Sequence, residues 1–263
     1  MCSQIDIDSH FDGKLQIIYL NQPESYNSFT KLMLEELRNA IHKFSENSSV
    51  RCIAIAGKGK AFCAGQNLKE ALSFDDDERA IQRFVVEYYN PLVLEIVKCK
   101  KPVIALVNGA AVGAGAMLSS ICDFALAAES AYFSFAFANI GLIPDTAGTY
   151  YLPKLIGKQL ASYLSFTGKK VPAGEAKKIG LIADVFPDSE FVEKSMEVLS
   201  QLAHAATAAI YFTKKAFNKS YNFTLAKQLD YESIIQQNAA DTEDFREGIN
   251  AFLEKRLPKY KGK

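Results

Sequence analysis

Three short apolar runs, set between helical stretches, constrain this chain more than any other feature. Val50–Ala56 (VRCIAIA) is rich in β-branched residues and is bounded by Gly57 and Gly59. Pro102–Asn108 (PVIALVN) is stopped by Gly109. Phe124–Ala128 (FALAA) follows a short helical stretch from about Gly115 to Ile121. Apolar runs of this length without polar alternation predict strands buried on both faces. Leu15–Leu20 (LQIIYL) predicts a further strand, closed by the turn residues Asn21-Gln22-Pro23. Thr30 is placed to cap a helix whose Leu34, Leu37, Ile41 and Phe44 recur at three- and four-residue spacing, and Phe84–Lys98 predicts another helix. Strands alternating with helices give an α/β class with a largely parallel sheet. The connecting turns are alike in kind but do not repeat in sequence, so no strict repeat array is expected.

After Ser189 the character changes. Phe191–His204, Ala206–Asn218, Thr224–Asn238 and Thr242–Lys255 all read as helices, with no strand among them. The expected organisation is an α/β core over 1–190 and a helical lid or assembly region over 191–263. The acidic run Phe74-Asp75-Asp76-Asp77-Glu78-Arg79 reads as a solvated helix start or a mobile loop.

Charge excludes some classes of function. Lys plus Arg number 30, and so do Asp plus Glu, so no basic field favours nucleic acid. Cys2, Cys52, Cys63, Cys99 and Cys122 are odd in number and form no C-x-x-C pair, which suggests reduced, buried thiols and a cytoplasmic protein. Met1-Cys2-Ser3-Gln4-Ile5-Asp6 lacks the basic and apolar regions of a signal peptide, and the ending Lys261-Gly262-Lys263 is not a peroxisomal address. No apolar stretch is long enough to span a bilayer, so no membrane partner is expected. His10, His42 and His204 are scattered, and no metal-ligand spacing is present.

The chemistry concentrates between Ala105 and Gly157, with a second short stretch at Gly57–Leu68. Asn108-Gly109-Ala110-Ala111-Val112-Gly113-Ala114-Gly115-Ala116 puts small residues just before a helix. Such a start lets a ligand approach free backbone N–H groups; close strand–helix packing explains the same residues. Ala61-Phe62-Cys63-Ala64-Gly65 offers a second donor in the Ala64 N–H. Cys63 has no histidine near it in sequence and reads as a buried thiol rather than a nucleophile. Asp145 sits in the turn Ile143-Pro144-Asp145-Thr146-Ala147-Gly148, either as a helix N-cap or as a proton carrier, and the two roles are compatible.

At these residues the sequence resembles the crotonase (enoyl-CoA hydratase/isomerase) superfamily over nearly its whole length. The segments KAFCAGQNLKE, NGAAVGAGA, Cys122-Asp123, GLIPDTAGTYYLPKLIG and EGINAFLEKR fall in family order. The resemblance implies a ClpP/crotonase-like spiral of ββα units and a C-terminal helical region that forms trimers, often dimers of trimers. It also implies a bound acyl-CoA whose thioester oxygen is held by two backbone N–H groups, placed by motif position at Ala64 and Ala114. Gln66, Asn67 and Leu68 match the segment lining the CoA adenine and pantetheine. Phe252 and Lys255 match positions that reach the CoA of a neighbouring subunit. No separate cofactor or metal is implied, because the CoA thioester is itself the substrate.

Hydratases of this family carry two glutamates, and Met117 and Phe137 stand in their places here. Adding water to a double bond needs groups that activate water and manage the α-proton, and apolar side chains do neither. Isomerases of several branches, including the ring-epoxide isomerase of phenylacetate degradation, place their acid in the turn that here holds Asp145. The GLIPD segment and the ending FREGINAFLEKRLPKYKGK look most like that branch. The expected reaction is therefore a 1,3-proton shift, 3-enoyl-CoA to 2-enoyl-CoA, with Asp145 as sole acid and base. Met117, Phe137 and Tyr88 or Tyr89 would form the water-excluding pocket. Pocket width at Phe135, Phe137 and Tyr150 would separate this reading from a ring-epoxide or other aromatic CoA isomerase. A nucleophilic Asp145, as in aryl-CoA dehalogenases, is disfavoured by the absence of tryptophan. An enoyl-CoA hydratase, disfavoured by the two missing glutamates, and a non-catalytic CoA-binding protein are the remaining alternatives.

Overall fold

Leu15, Ile18 and Leu20 have no solvent exposure, and neither do Cys52, Ile53, Ala54 and Ile55; these two runs lie side by side in the centre of the fold. The computed structural model describes residues 3–71 and 79–263, so most of the acidic run at 74–79 lies outside the described residues. In chain order the first elements are β1 (Ile5–His10), β2 (Leu15–Leu20), α1 (Lys31–Glu46), β3 (Cys52–Gly57), β4 (Ala61–Cys63) and α2 (Leu68–Ala71). There follow α3 (Ala80–Phe84), α4 (Asn90–Lys98), β5 (Val103–Val107), β6 (Ala110–Val112), α5 (Ala114–Ile121), β7 (Phe124–Ala128) and β8 (Tyr132–Ser134). The chain continues through α6 (Gly148–Ile156), α7 (Lys158–Thr167), β9 (Val171–Pro172), α8 (Ala173–Lys178) and β10 (Asp184–Phe186). It ends in α9 (Phe191–Ala203), α10 (Thr207–Ser220), α11 (Leu225–Ala240) and α12 (Glu243–Leu253).

The strands form two sheets. The larger has the order β1-β2-β3-β5-β7-β10, parallel except for the β1–β2 hairpin; the smaller has the order β4-β6-β8-β9, parallel except for β8–β9. Three successive pairs, β3–β4, β5–β6 and β7–β8, each place their first strand in the large sheet and their second in the small one. This is the expected spiral, repeated in structure though not in sequence. The four apolar runs read as strands are the inner strands β2, β3, β5 and β7 of the large sheet, largely buried on both faces as their composition requires; the edge strands β1 and β10 were not expected and are less buried.

Thr30 caps α1 as expected, its Oγ1 accepting from the Met33 N–H at 3.2 Å. The single helix expected over Phe84–Lys98 contains a change of winding. Val85–Tyr89 is a π-helical turn, closed by the Asn90 N–H donating to the Val85 carbonyl. Pro91 follows at once; it has no N–H and its ring crowds the preceding turn, which the wider winding accommodates.

The C-terminal helices are fastened to the sheets by two buried cations. Lys214 on α10 reaches Asp123 Oδ2 and the Ile96 carbonyl, both at 2.9 Å. Arg51 bonds Thr207 Oγ1 and the Ala205 carbonyl. α9 rests on the large sheet, with Leu199 and Ala203 fully buried. Among the described residues, no helix is long and apolar enough to cross a membrane.

Candidate active site

The two glycine-rich turns meet where β4 and β6 run side by side. The Phe29 N–H donates to the Gly65 carbonyl at 2.7 Å, and the Asn67 N–H donates to the Phe29 carbonyl at 2.9 Å. These two bonds bracket Gln66. In a trans peptide the N–H lies opposite the preceding C=O, so the Gln66 N–H points away from Phe29. No acceptor for it exists among the described residues. Gly65 makes the turn at φ +89°, a conformation that glycine adopts without steric cost.

Ala64 is therefore not the donor that its sequence position suggests. Its N–H is spent on the Tyr26 carbonyl at 3.0 Å, and the free amide of this turn belongs to Gln66. Ala114 is differently placed. It opens α5, where the first amides of a helix have no intrahelical partner. The preceding Gly113 has φ +54°, and its own N–H is held by the Ser134 carbonyl at 2.8 Å. The turns can lie this close because Gly115 has no side chain: a Cβ there would meet the Cys63 carbonyl oxygen at 2.2 Å.

A cavity of about 340 Å³ opens beside these amides, lined by Ala64, Gly65, Gln66, Leu68, Gly113, Ala114 and Asp145 with a wall that includes Ile81, Phe84, Tyr89, Phe137 and Leu142. Asp145 is the one carboxylate among the described residues of that lining. It does not cap α6, whose N-cap is Ala147 in the left-handed region with no side-chain hydrogen bond. The Thr146 hydroxyl donates to Asp145 Oδ1 at 3.0 Å instead. Thr146 and Ala147 have φ of +50° and +61°, a strained pair of the kind that gathers at functional sites. Burial pushes the Asp145 carboxyl above its ordinary value, and the Thr146 hydrogen bond opposes that shift in part.

The other expected residues divide. Phe137 lines the cavity, as does Tyr89 rather than Tyr88. Met117 does not: it is fully buried beneath the Asp145 turn, its Sδ 3.0 Å from where a Gly148 Cβ would stand. Phe135 is fully buried away from the cavity, and Tyr150 lies outside it against Lys154 and Tyr221. Gln66 and Leu68 border the cavity, whereas the Asn67 side chain turns to α2 and accepts from the Lys69 N–H at 3.1 Å. Phe252, 83% exposed, and Lys255 lie at the end of α12 and take no part in their own chain's cavity. Cys63 is buried, its thiol pushed up to about 12 by that burial, and its Sγ accepts from the Gly65 N–H at 3.4 Å. Among the described residues, no group of three metal-ligating side chains converges.

Two free backbone amides and one half-buried carboxylate around an apolar cavity make a site for an anionic oxygen and a mobile proton. The sequence profile described as enoyl-CoA hydratase/isomerase matches residues 11–263. The chain belongs to this family. Within the family it is similar to 1,2-epoxyphenylacetyl-CoA isomerase of Escherichia coli K12, 37% identical over 257 residues, covering 97% of this chain and 98% of that one. It is also similar to 2,3-dehydroadipyl-CoA hydratase of the same strain, 32% identical over 250 residues, covering 95% and 96%. The crystal structure of enoyl-CoA hydratase from Bacillus anthracis superposes with a TM-score of 0.93 at 34% identity, covering 99% of this chain and 100% of that one. The spiral is thus the crotonase fold, and the chain is a CoA-thioester enzyme of that superfamily. Its relatives include isomerases and hydratases, so the choice between those reactions falls to the side chains of the cavity.

Proposed function

We propose that this protein is an acyl-CoA isomerase that moves a double bond, converting a 3-enoyl-CoA to a 2-enoyl-CoA. The observation that carries the reading is the lining of the cavity: Asp145 is the sole carboxylate among its described residues, facing the same space as the free Gln66 and Ala114 amides. The thioester oxygen accepts from those two N–H groups. Ionised Asp145 takes the C2 proton, the enolate is held by the amides, and the protonated carboxyl returns the proton at C4. One carboxylate serves both steps because both carbons present the same face. Each fixed donor is worth roughly a hundred- to a thousandfold in rate, and a positioned acid–base group roughly a hundred- to ten-thousandfold. Phe84, Phe137 and Leu142 keep water from adding to the conjugated product. Hydration is disfavoured because Met117 is sealed in the core and Phe137 is apolar, which leaves no second carboxylate among the described residues of the lining.

A second reading keeps the same groups and takes an aromatic ring-epoxide thioester. It is favoured by the 37% identity to 1,2-epoxyphenylacetyl-CoA isomerase and by the aromatic wall. For assembly, the reading extends to a homotrimer or a dimer of trimers built on the helical third, with Phe252 and Lys255 reaching a neighbour's CoA. The exposure of Phe252, Leu253 and Leu257 on that region supports it, and sedimentation gives the copy number. The catalytic reading is tested with Asp145→Asn. That variant keeps its affinity for CoA thioesters and loses turnover; substantial residual isomerisation removes Asp145 from the mechanism.

A further inference from the structure

We infer that Tyr89 is a positioning residue for the thioester-oxygen site, acting through the Gln66 side chain to hold the Gln66 amide in place. This inference rests on the reading that the Gln66 and Ala114 N–H groups hold that oxygen.

The Tyr89 hydroxyl donates to Gln66 Oε1 at 2.6 Å, and the residue is only 3% exposed. The Tyr89 ring also meets Phe29 edge-on, with centroids 6.0 Å apart. Phe29 is the residue whose backbone bonds bracket Gln66. Tyr89 therefore braces the donor from two sides, with its ring against the strand partner and its hydroxyl against the donor's own side chain.

The turn needs such a brace. Gly65 precedes Gln66, and glycine crosses between positive and negative φ at little cost. A flip of the 65–66 peptide would turn the Gln66 N–H out of the cavity. The Phe29 N–H on the Gly65 carbonyl opposes that flip directly, and the Gln66 side chain, held by Tyr89 in a part-buried hydrogen bond, adds a second hold that fixes residue 66 relative to the cavity. The π-helical turn at Val85–Tyr89 is a second, independent sign. π-bulges mark functional positions more often than chance, and this one ends on the residue that reaches Gln66.

A buried tyrosine whose hydroxyl has simply found a partner would look similar in one respect, so the test must read the oxygen site itself. Tyr89→Phe keeps the ring and removes the hydroxyl. Gln66→Ala keeps the backbone N–H and removes the anchor. Each is expected to lower kcat roughly tenfold, a fraction of the loss when a whole donor is removed, with KM within about twofold. The double variant is expected to be no slower than either single one, because both changes remove the same link. The infrared carbonyl band of bound butyryl-CoA, labelled with carbon-13 at the thioester, reads donor geometry without turnover. Its shift to lower frequency in the wild type is expected to shrink in Tyr89→Phe. Full kcat in Tyr89→Phe, multiplicative losses in the double variant, or an unchanged carbonyl band would each overturn the inference. A wild-type protein that shifts the carbonyl band but moves no double bond overturns the isomerase reading alone, and the carbonyl bands of the variants still decide the role of Tyr89.

Discussion

A Cβ on Gly65 would stand 3.4 Å from the Ala114 amide nitrogen and 2.8 Å from the Val112 carbonyl oxygen. Residue 65 therefore fills the gap between the two donor turns, and only glycine fits it. Gly65→Ala adds a backbone clash to a φ of +89° that costs an L-residue about 1–2 kcal/mol. The variant is expected to lose roughly a hundredfold in kcat, the scale of one misplaced donor. A thermal melt alongside the kinetics separates that loss from the accompanying fall in stability.

Asp145 gives a pH dependence with a definite sign. Burial holds its folded-state pKa above the ordinary 3.8. Below that ordinary value the carboxyl is neutral in folded and unfolded chains alike. As pH rises through the folded pKa, ionising the half-buried group costs stability. Asp145→Asn, which stays neutral, is expected to melt higher than wild type near neutral pH and to lose this advantage in acid. Activity runs the other way, because the base must be ionised: kcat/KM falls as pH drops through the raised pKa. Melting curves and a pH–rate profile check the two limbs separately.

Lys214 is expected to act on stability alone. Its Nζ joins Asp123 Oδ2 and the Ile96 carbonyl at 2.9 Å; Asp123 reaches solvent, so removing the cation leaves chiefly the buried Ile96 carbonyl without its partner. Lys214→Met should cost about 1–2 kcal/mol in urea unfolding and leave KM for acyl-CoA unchanged in the folded protein.

Met117→Glu is expected not to make a hydratase. The side chain is fully buried, and its Sδ lies against the Gly148 backbone. A carboxylate there has neither water nor a cavity to face, and burying it costs several kcal/mol, on the order of 3 or more. Product analysis with a 2-enoyl-CoA should detect no hydration, and the melt should fall sharply.

The four inner strands of the large sheet were legible because they carry apolar runs, as in Cys52–Gly57 and Val103–Val107, whereas the edge strands β1 (IDIDSH) and β10 (DVF) carry none and were missed. The small sheet was not: β4, β6 and β8 are three residues each, too short for any period to show. Asp145 and Ala114 were legible as an acid in a tight turn and an amide at a helix start. The Ala64 assignment failed for a nonlocal reason. Which amide of the Ala64-Gly65-Gln66 turn is free depends on the Tyr26 carbonyl and the Phe29 backbone, and those partners come from a distant part of the chain. Met117 was misplaced because spacing gives a residue's helix face but not what lies beneath that face. Tyr89 had a local signal in the Pro91 that follows it, which marks a break in a helix otherwise read as continuous.

The most direct test is turnover of the purified wild-type protein on a 3-enoyl-CoA and on a 2-enoyl-CoA, side by side, with products identified. Migration of the double bond without formation of a 3-hydroxyacyl-CoA is the expected result, and it fits one carboxylate working beside two amides. Hydration of the 2-enoyl-CoA would contradict it, since the family's hydratases use a second carboxylate for that reaction and the described lining does not contain one.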